Sequence, residues 1–150
     1  VMDWHNKDVV DRYVRVAYGQ AGIAVNGYGP NGVSLSTVNQ VVDAMRESSI
    51  IYHSKSVGDG WGHAIHGAAA IGRPIVGDAS YYVGRVAERL WTTDNSIDTH
   101  GMGDADIGMA LRGLWHDHDR LDAMGLASRR LFERHIDYAR DAERIEEFLG

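Results

Sequence analysis

The chain has 150 residues, 44% of them hydrophobic and 24% charged, which suits one globular domain with a single core and excludes a disordered chain. Its formal charge of -6 argues against a broad basic surface for nucleic acid, and the absence of cysteine rules out a disulfide framework, a thiolate zinc site and a cysteine nucleophile. No stretch approaches the roughly 18 apolar residues of a membrane span and no secretory-type start is present, so a cytoplasmic protein without a nucleic-acid or membrane partner is expected.

Residues 6–18 place Val9, Val10, Tyr13, Val14 and Ala17 on one helical face, although the same residues would suit a strand. Gly19 and Gly22 end that segment. Ile23 to Asn26 reads as a short strand closed by the turn cluster Gly27 to Gly32. Ser36 is a fitting N-cap for a helix to about Ser48, with Val38, Val41, Val42 and Met45 as its buried stripe. Ile50 to His53 is the next strand, Gly62 to about Ala70 an alanine-rich helix, and Ile75-Val76 a further strand.

Beyond these, Ser80 to about Arg89 predicts a helix, Leu90 to Thr92 a short strand, and residues 93–103 a polar loop. Asp104 to Trp115 predicts a helix with Asp104 or Asp106 near its positive end. Asp119 opens a helical tract running to about Leu149, with a break near Asp137. Helices alternating with short, nearly continuous apolar strands predict an α/β fold, a Rossmann-like parallel sheet flanked by helices on both faces. The chain opens on a helix where a complete nucleotide-binding domain opens on a strand. The expected sheet therefore lacks its first strand, or follows an upstream domain.

Chemistry concentrates in residues 50–76, where a strand, a glycine-rich turn, a small-residue helix and a Gly-x-Pro stop follow one another. Backbone N–H groups at that helix start, with the positive end of its dipole, suit a phosphate or diphosphate. Gly58, Gly60 and Gly62 allow close backbone approach, Lys55 offers a point charge for phosphate, and Asp59 offers an acceptor for a sugar hydroxyl. Taken alone the glycines also fit a plain tight loop, and they match neither the P-loop nor the dinucleotide fingerprint.

Asp59-Gly60-Trp61-Gly62, followed by Gly67-Ala68-Ala69-Ala70-Ile71-Gly72-Arg73-Pro74-Ile75-Val76, resembles the donor-binding half of retaining GT-B glycosyltransferases. Gly22 to Gly29 is similar to the family's preceding strand and turn, and Asp137 to Leu149 to its terminal helix. The resemblance implies the C-terminal half of a GT-B architecture, with an N-terminal acceptor domain as a missing partner. It implies a nucleotide-diphosphate sugar as donor substrate, no metal and no other cofactor. The family's Glu-x7-Glu pair falls on Asp59, beside the transferred sugar, and on Gly67, the ribose position, which here has no side chain. Asp59 and Lys55 are thus the expected catalytic residues, and Gly58, Gly60, Trp61, Gly62, His63 and Gly67 the expected donor-binding ones. Arg73 and Arg85 are further candidates for the charge that meets the diphosphate.

Blander readings stand beside these. Trp61 suits packing, and Asp59 suits a helix start. His63 and His66 stand at i and i+3 but lack an identifiable third metal ligand, and His116 to Asp119 reads as a solvated turn with a helix cap. Tyr81 and Tyr82 follow a strand end, where either a donor-site or a packing role is open. The run Arg129 to Glu147 reads as a solvated helix face. A non-catalytic Rossmann-like nucleotide-binding or interaction module is the alternative function. A sugar-phosphate isomerase or epimerase is a weaker one, since no general base is placed.

Overall fold

The computed structural model describes residues 2–5, 26–28, 34–54 and 62–149. Strands β1 (Met2–His5), β2 (Asn26–Tyr28), β3 (Ile51–Ser54), β4 (Ile75–Gly77) and β5 (Ser96–Asp98) form one sheet in the order β2-β1-β3-β4-β5. Every neighbouring pair is parallel. The described helices are α1 (Val38–Glu47), α2 (His63–Ile71), α3 (Asp104–His116), α4 (His118–His135) and α5 (Tyr138–Leu149).

Register and alternation explain the layering. Ile51 pairs with Ile75, while Tyr52 pairs with Val76, which in turn pairs with Ile97. Successive side chains point to opposite faces. Ile51 and Ile75 join Ala64, Ile65, Ala68 and Ala69 of α2 and Met45 of α1 in one cluster. Tyr52 and Val76 join Ile107, Leu111 and Leu114 of α3 and Leu121 and Met124 of α4 in the other. The chain is therefore an α/β domain whose parallel sheet carries helices on both faces, and its strands are apolar on both sides for that reason.

α4 belongs to both layers. Its first half packs with α3 on the Tyr52 face, and Leu131 and Phe132 pack with α2 on the Ile51 face. The helix thus passes under the amino-terminal edge of the sheet. There Gly72, the left-handed C-cap of α2 (φ 70°), meets Gly125 of α4. The Ser128 hydroxyl donates to the Arg73 carbonyl at 2.9 Å, and Asn95 Nδ2 donates to the Ser128 hydroxyl at 3.1 Å. The Arg129 guanidinium donates to the Ala70 carbonyl, while the Ala69 and Ala68 carbonyls accept from the main-chain N–H groups of Gly72 and Arg73. None of the residues of α5 is buried, and its one described aromatic contact is Tyr138 edge-on to Phe132.

Several expectations need correction. The sheet does not lack the expected first strand: Met2–His5 pairs with both β2 and β3. β5 lies within residues 93–103, expected as a loop, because a three-residue edge strand with one apolar residue, Ile97, carries almost no periodic signal. Leu90 to Thr92 is not a strand. Residues 80–89 are not one helix but two short 3-10 turns, Ala79–Tyr82 and Val86–Leu90. Gly84 lies between them at φ 72°, and its N–H is taken by the Glu88 carboxylate at 2.8 Å.

The start of α1 is displaced by one residue. Thr37 is the N-cap, in a reciprocal capping box with Gln40. Val38 is then 78% exposed rather than part of the stripe, and Ala44 and Met45 are the buried residues. β2 takes in Gly27 and Tyr28, which the turn was expected to hold. The expected helix at 6–18, residues 23–25 and the turn residues 29–32 lie outside the described residues. The break near Asp137 is present, between His135 and Tyr138. The turn at His116 to Asp119 is a cap: the Asp117 carboxylate accepts the Arg120 N–H at 3.0 Å.

Candidate functional site

Ligands of open parallel sheets sit outside the carboxyl ends of the strands, at the point where the strand order reverses. In the order β2-β1-β3-β4-β5 the chain first steps from β1 to β2, then crosses back past β1 to β3. The reversal therefore lies between β1 and β3, at the end where β3 runs into residues 55–61. Lys55, Gly58, Asp59, Gly60 and Trp61 follow that strand end directly but lie outside the described residues.

Beyond them the start of α2 is defined. Gly62 is its N-cap, in the left-handed region at φ 76°, and brings no side-chain cap to the first turn. Only glycine adopts that conformation without strain. Gly62 is buried: a β-carbon there would stand 2.6 Å from Ala87 Cβ and 3.4 Å from the Tyr82 ring. His63, next along, is exposed. His66 is buried and its Nδ1 donates to the Gly62 carbonyl at 3.0 Å, so the two histidines of α2 turn to different surroundings. Among the described residues no group of three or more His, Asp or Glu side chains is arranged to hold a metal ion.

Gly67 stands apart from this end of the helix. A β-carbon on it would meet Met45 Sδ at 2.8 Å, so position 67 faces α1. Arg73 is at the opposite edge of the sheet, between the C-cap of α2 and the start of β4, with Nη2 donating to the Arg46 carbonyl at 2.6 Å. It stands at the start of β4, away from the carboxyl end of the parallel strand β3. Arg85 is exposed at the start of the second 3-10 turn.

Two groupings at the carboxyl-terminal edge escaped the sequence reading. Tyr82 (1% exposed) and His53 (2% exposed) share a hydrogen bond of 2.7 Å between the phenol oxygen and Nδ1, and Trp91 stacks on Tyr82 at 5.2 Å. Tyr82 is thus a buried anchor for the end of β3, while Tyr81 is half-buried. The second grouping follows β4 and β5. Asp78 accepts from the Ser80 N–H and hydroxyl at 2.9 and 2.5 Å, and His100 Nδ1 approaches its two carboxylate oxygens at 3.3 and 3.4 Å. Asp98 accepts the Ala79 and His100 N–H groups, both at 3.0 Å. Burial raises the Asp78 carboxyl, but the Ser80 donors and His100 outweigh it and hold the group below its ordinary value. The legible signal was position: an aspartate directly after an apolar strand end.

No protein-family model matches this chain, and no curated protein or solved structure is significantly similar to it.

Proposed function

We propose that this chain is a Rossmann-like donor domain that binds a nucleotide-diphosphate sugar, as the donor half of a GT-B glycosyltransferase. The observation that supports this reading is the reversal of strand order beside β3, with α2 starting just beyond it on a left-handed glycine that leaves its first N–H groups uncapped by the N-cap side chain. In this reading those groups and Lys55 carry the diphosphate, and Asp59 lies beside the transferred sugar. The dipole, the amides and the lysine stabilise the departing charge, and no divalent metal takes part.

Calorimetric titration with uridine and guanosine diphosphates and their sugars tests it. Saturable binding is expected, weakened about tenfold by Lys55→Ala, the size of one lost charge-assisted hydrogen bond. No binding at millimolar ligand by a folded chain overturns it.

A second reading has its own observation. Position 67, where the resemblance has an acid gripping ribose, is a glycine that faces the Met45 side chain on α1. That favours a non-catalytic nucleotide-binding or interaction module. Binding of the nucleotide without hydrolysis or transfer of the sugar, when an acceptor domain is supplied, would favour it over the first.

A further inference from the structure

The turns after β4 and β5 brace each other. Asp98, which ends β5, accepts the Ala79 and His100 N–H groups, and Asp78, which follows β4, has His100 Nδ1 at 3.3 and 3.4 Å from its two carboxylate oxygens. An ionised carboxylate can accept a hydrogen bond but not donate one. In the neutral ring Nδ1 therefore carries the proton, and Nε2 is left as an acceptor. The imidazole is exposed, and no described residue meets its Nε2. Asp78 thus fixes the tautomer of a histidine whose outer nitrogen takes no part in holding the fold.

The location adds to this. His100 stands at the carboxyl end of the sheet, the end at which parallel sheets bind ligands. In the order β3-β4-β5 it is two strands from β3, about 10 Å at the usual strand spacing. One 3-10 turn, Ala79–Tyr82, spans the interval: Ala79 is held by Asp98, and the Tyr82 ring packs against Gly62, the N-cap of α2. A diphosphate at the start of α2 would therefore have its sugar within reach of His100. Asp78 and Asp98, with Asp104 and Asp106 at the start of α3, make this edge acidic. That suits neutral hydroxyl groups and turns the diphosphate itself away.

We propose that His100 reads the sugar of the donor, its Nε2 accepting a hydrogen bond from a sugar hydroxyl, with Asp78 as its positioning residue. This role rests on the donor-site reading above and names the sugar end of that site. A sugar with a free hydroxyl away from the diphosphate is favoured over its deoxy counterpart, because only the hydroxyl supplies the proton that Nε2 accepts.

Uridine and guanosine diphosphates, each with and without its hexose, are the probes for calorimetric titration of the parent and three variants. The parent should bind the sugar form more tightly than the bare diphosphate. His100→Ala should weaken the sugar form about tenfold and leave the bare diphosphate unchanged. Glutamine carries its amide near the position of Nε2, and asparagine near that of Nδ1. His100→Gln should therefore keep more of the sugar affinity than His100→Asn. The reverse order is what a purely bracing role toward Asp78 would give, and it overturns the proposal. Equal loss for both ligands, or no loss for either, also overturns it and leaves the donor reading standing. Failure of the folded parent to bind either ligand removes the donor reading and the role of His100 together.

Discussion

Gly72 and Gly125 meet backbone to backbone, and a β-carbon built on Gly125 would stand 2.5 Å from the Gly72 carbonyl oxygen. Helix α4 comes this close to the end of α2 because neither residue has a side chain. Gly125→Ala is therefore expected to destabilise the fold. Alanine gains about 1 kcal/mol of helix propensity, but backbone must move to admit it, and overpacking of that kind costs about 1–3 kcal/mol. Urea unfolding reads the balance. A midpoint equal to or above the parent's would mean that α4 does not seat on Gly72.

Tyr82→Phe removes the phenol from His53 Nδ1 and leaves the ring in place. Both residues are buried, so the loss is expected to be about 1–3 kcal/mol. The stack of ring 82 on Trp91 survives, so the near-ultraviolet circular dichroism of the native state should keep its shape while the unfolding midpoint falls. A variant with an unchanged midpoint would show that the bond adds nothing to stability.

The layered α/β plan was legible because the strands that build its centre are short and apolar on both faces. Ile50-Ile51-Tyr52 and Ile75-Val76 sit between segments of helical period, and the cap at Asp117 and the stop at Asp137 are local signals that tertiary contacts do not override. The misreadings have physical reasons. Met2–His5 places Asp3 and His5 in a four-residue strand, and three or four residues hold too little pattern to register. Val38 looks like the first member of an apolar stripe, but it stands in the first turn of α1, where the helix has not yet reached its neighbours. Residues 80–89 have helical composition, and the left-handed Gly84 splits them. For the site, the glycine run after β3 pointed to the end of the sheet where the strand order reverses. The contacts of Arg73 and Gly67 with Arg46 and Met45 were not legible, because those partners come from α1 and are remote in sequence.

Asp78 makes stability depend on acid. Its carboxyl is held below the ordinary value, so the folded state prefers the ionised form. That contribution is complete at neutral pH and is lost as pH falls through the folded value, below the usual aspartate range. Asp78→Asn should therefore flatten the acid limb of a plot of stability against pH and leave the limb above neutrality alone. An acid limb identical to the parent's would remove the assignment.

Gly67→Glu is expected to lower stability and to create no nucleotide affinity, because its side chain enters the α1–α2 contact. Gly67→Ala is expected to be close to neutral. The methyl group meets the flexible end of Met45, whose shift offsets the gain of about 1 kcal/mol in helix propensity. Paired thermal melts and a calorimetric titration check both statements. A glutamate variant with new nucleotide affinity would place position 67 at the crevice.

The strap that α4 draws beneath the sheet ties residues 55 and 59 positions apart, Arg73 to Ser128 and Ala70 to Arg129. During synthesis, then, the strands up to Asp98 emerge with one apolar side still bare. They wait for partners that the ribosome has yet to deliver. A nascent chain arrested before residue 118 should be a good client for a holdase chaperone, and release of one extended past Ile136 should coincide with the acquisition of protease resistance.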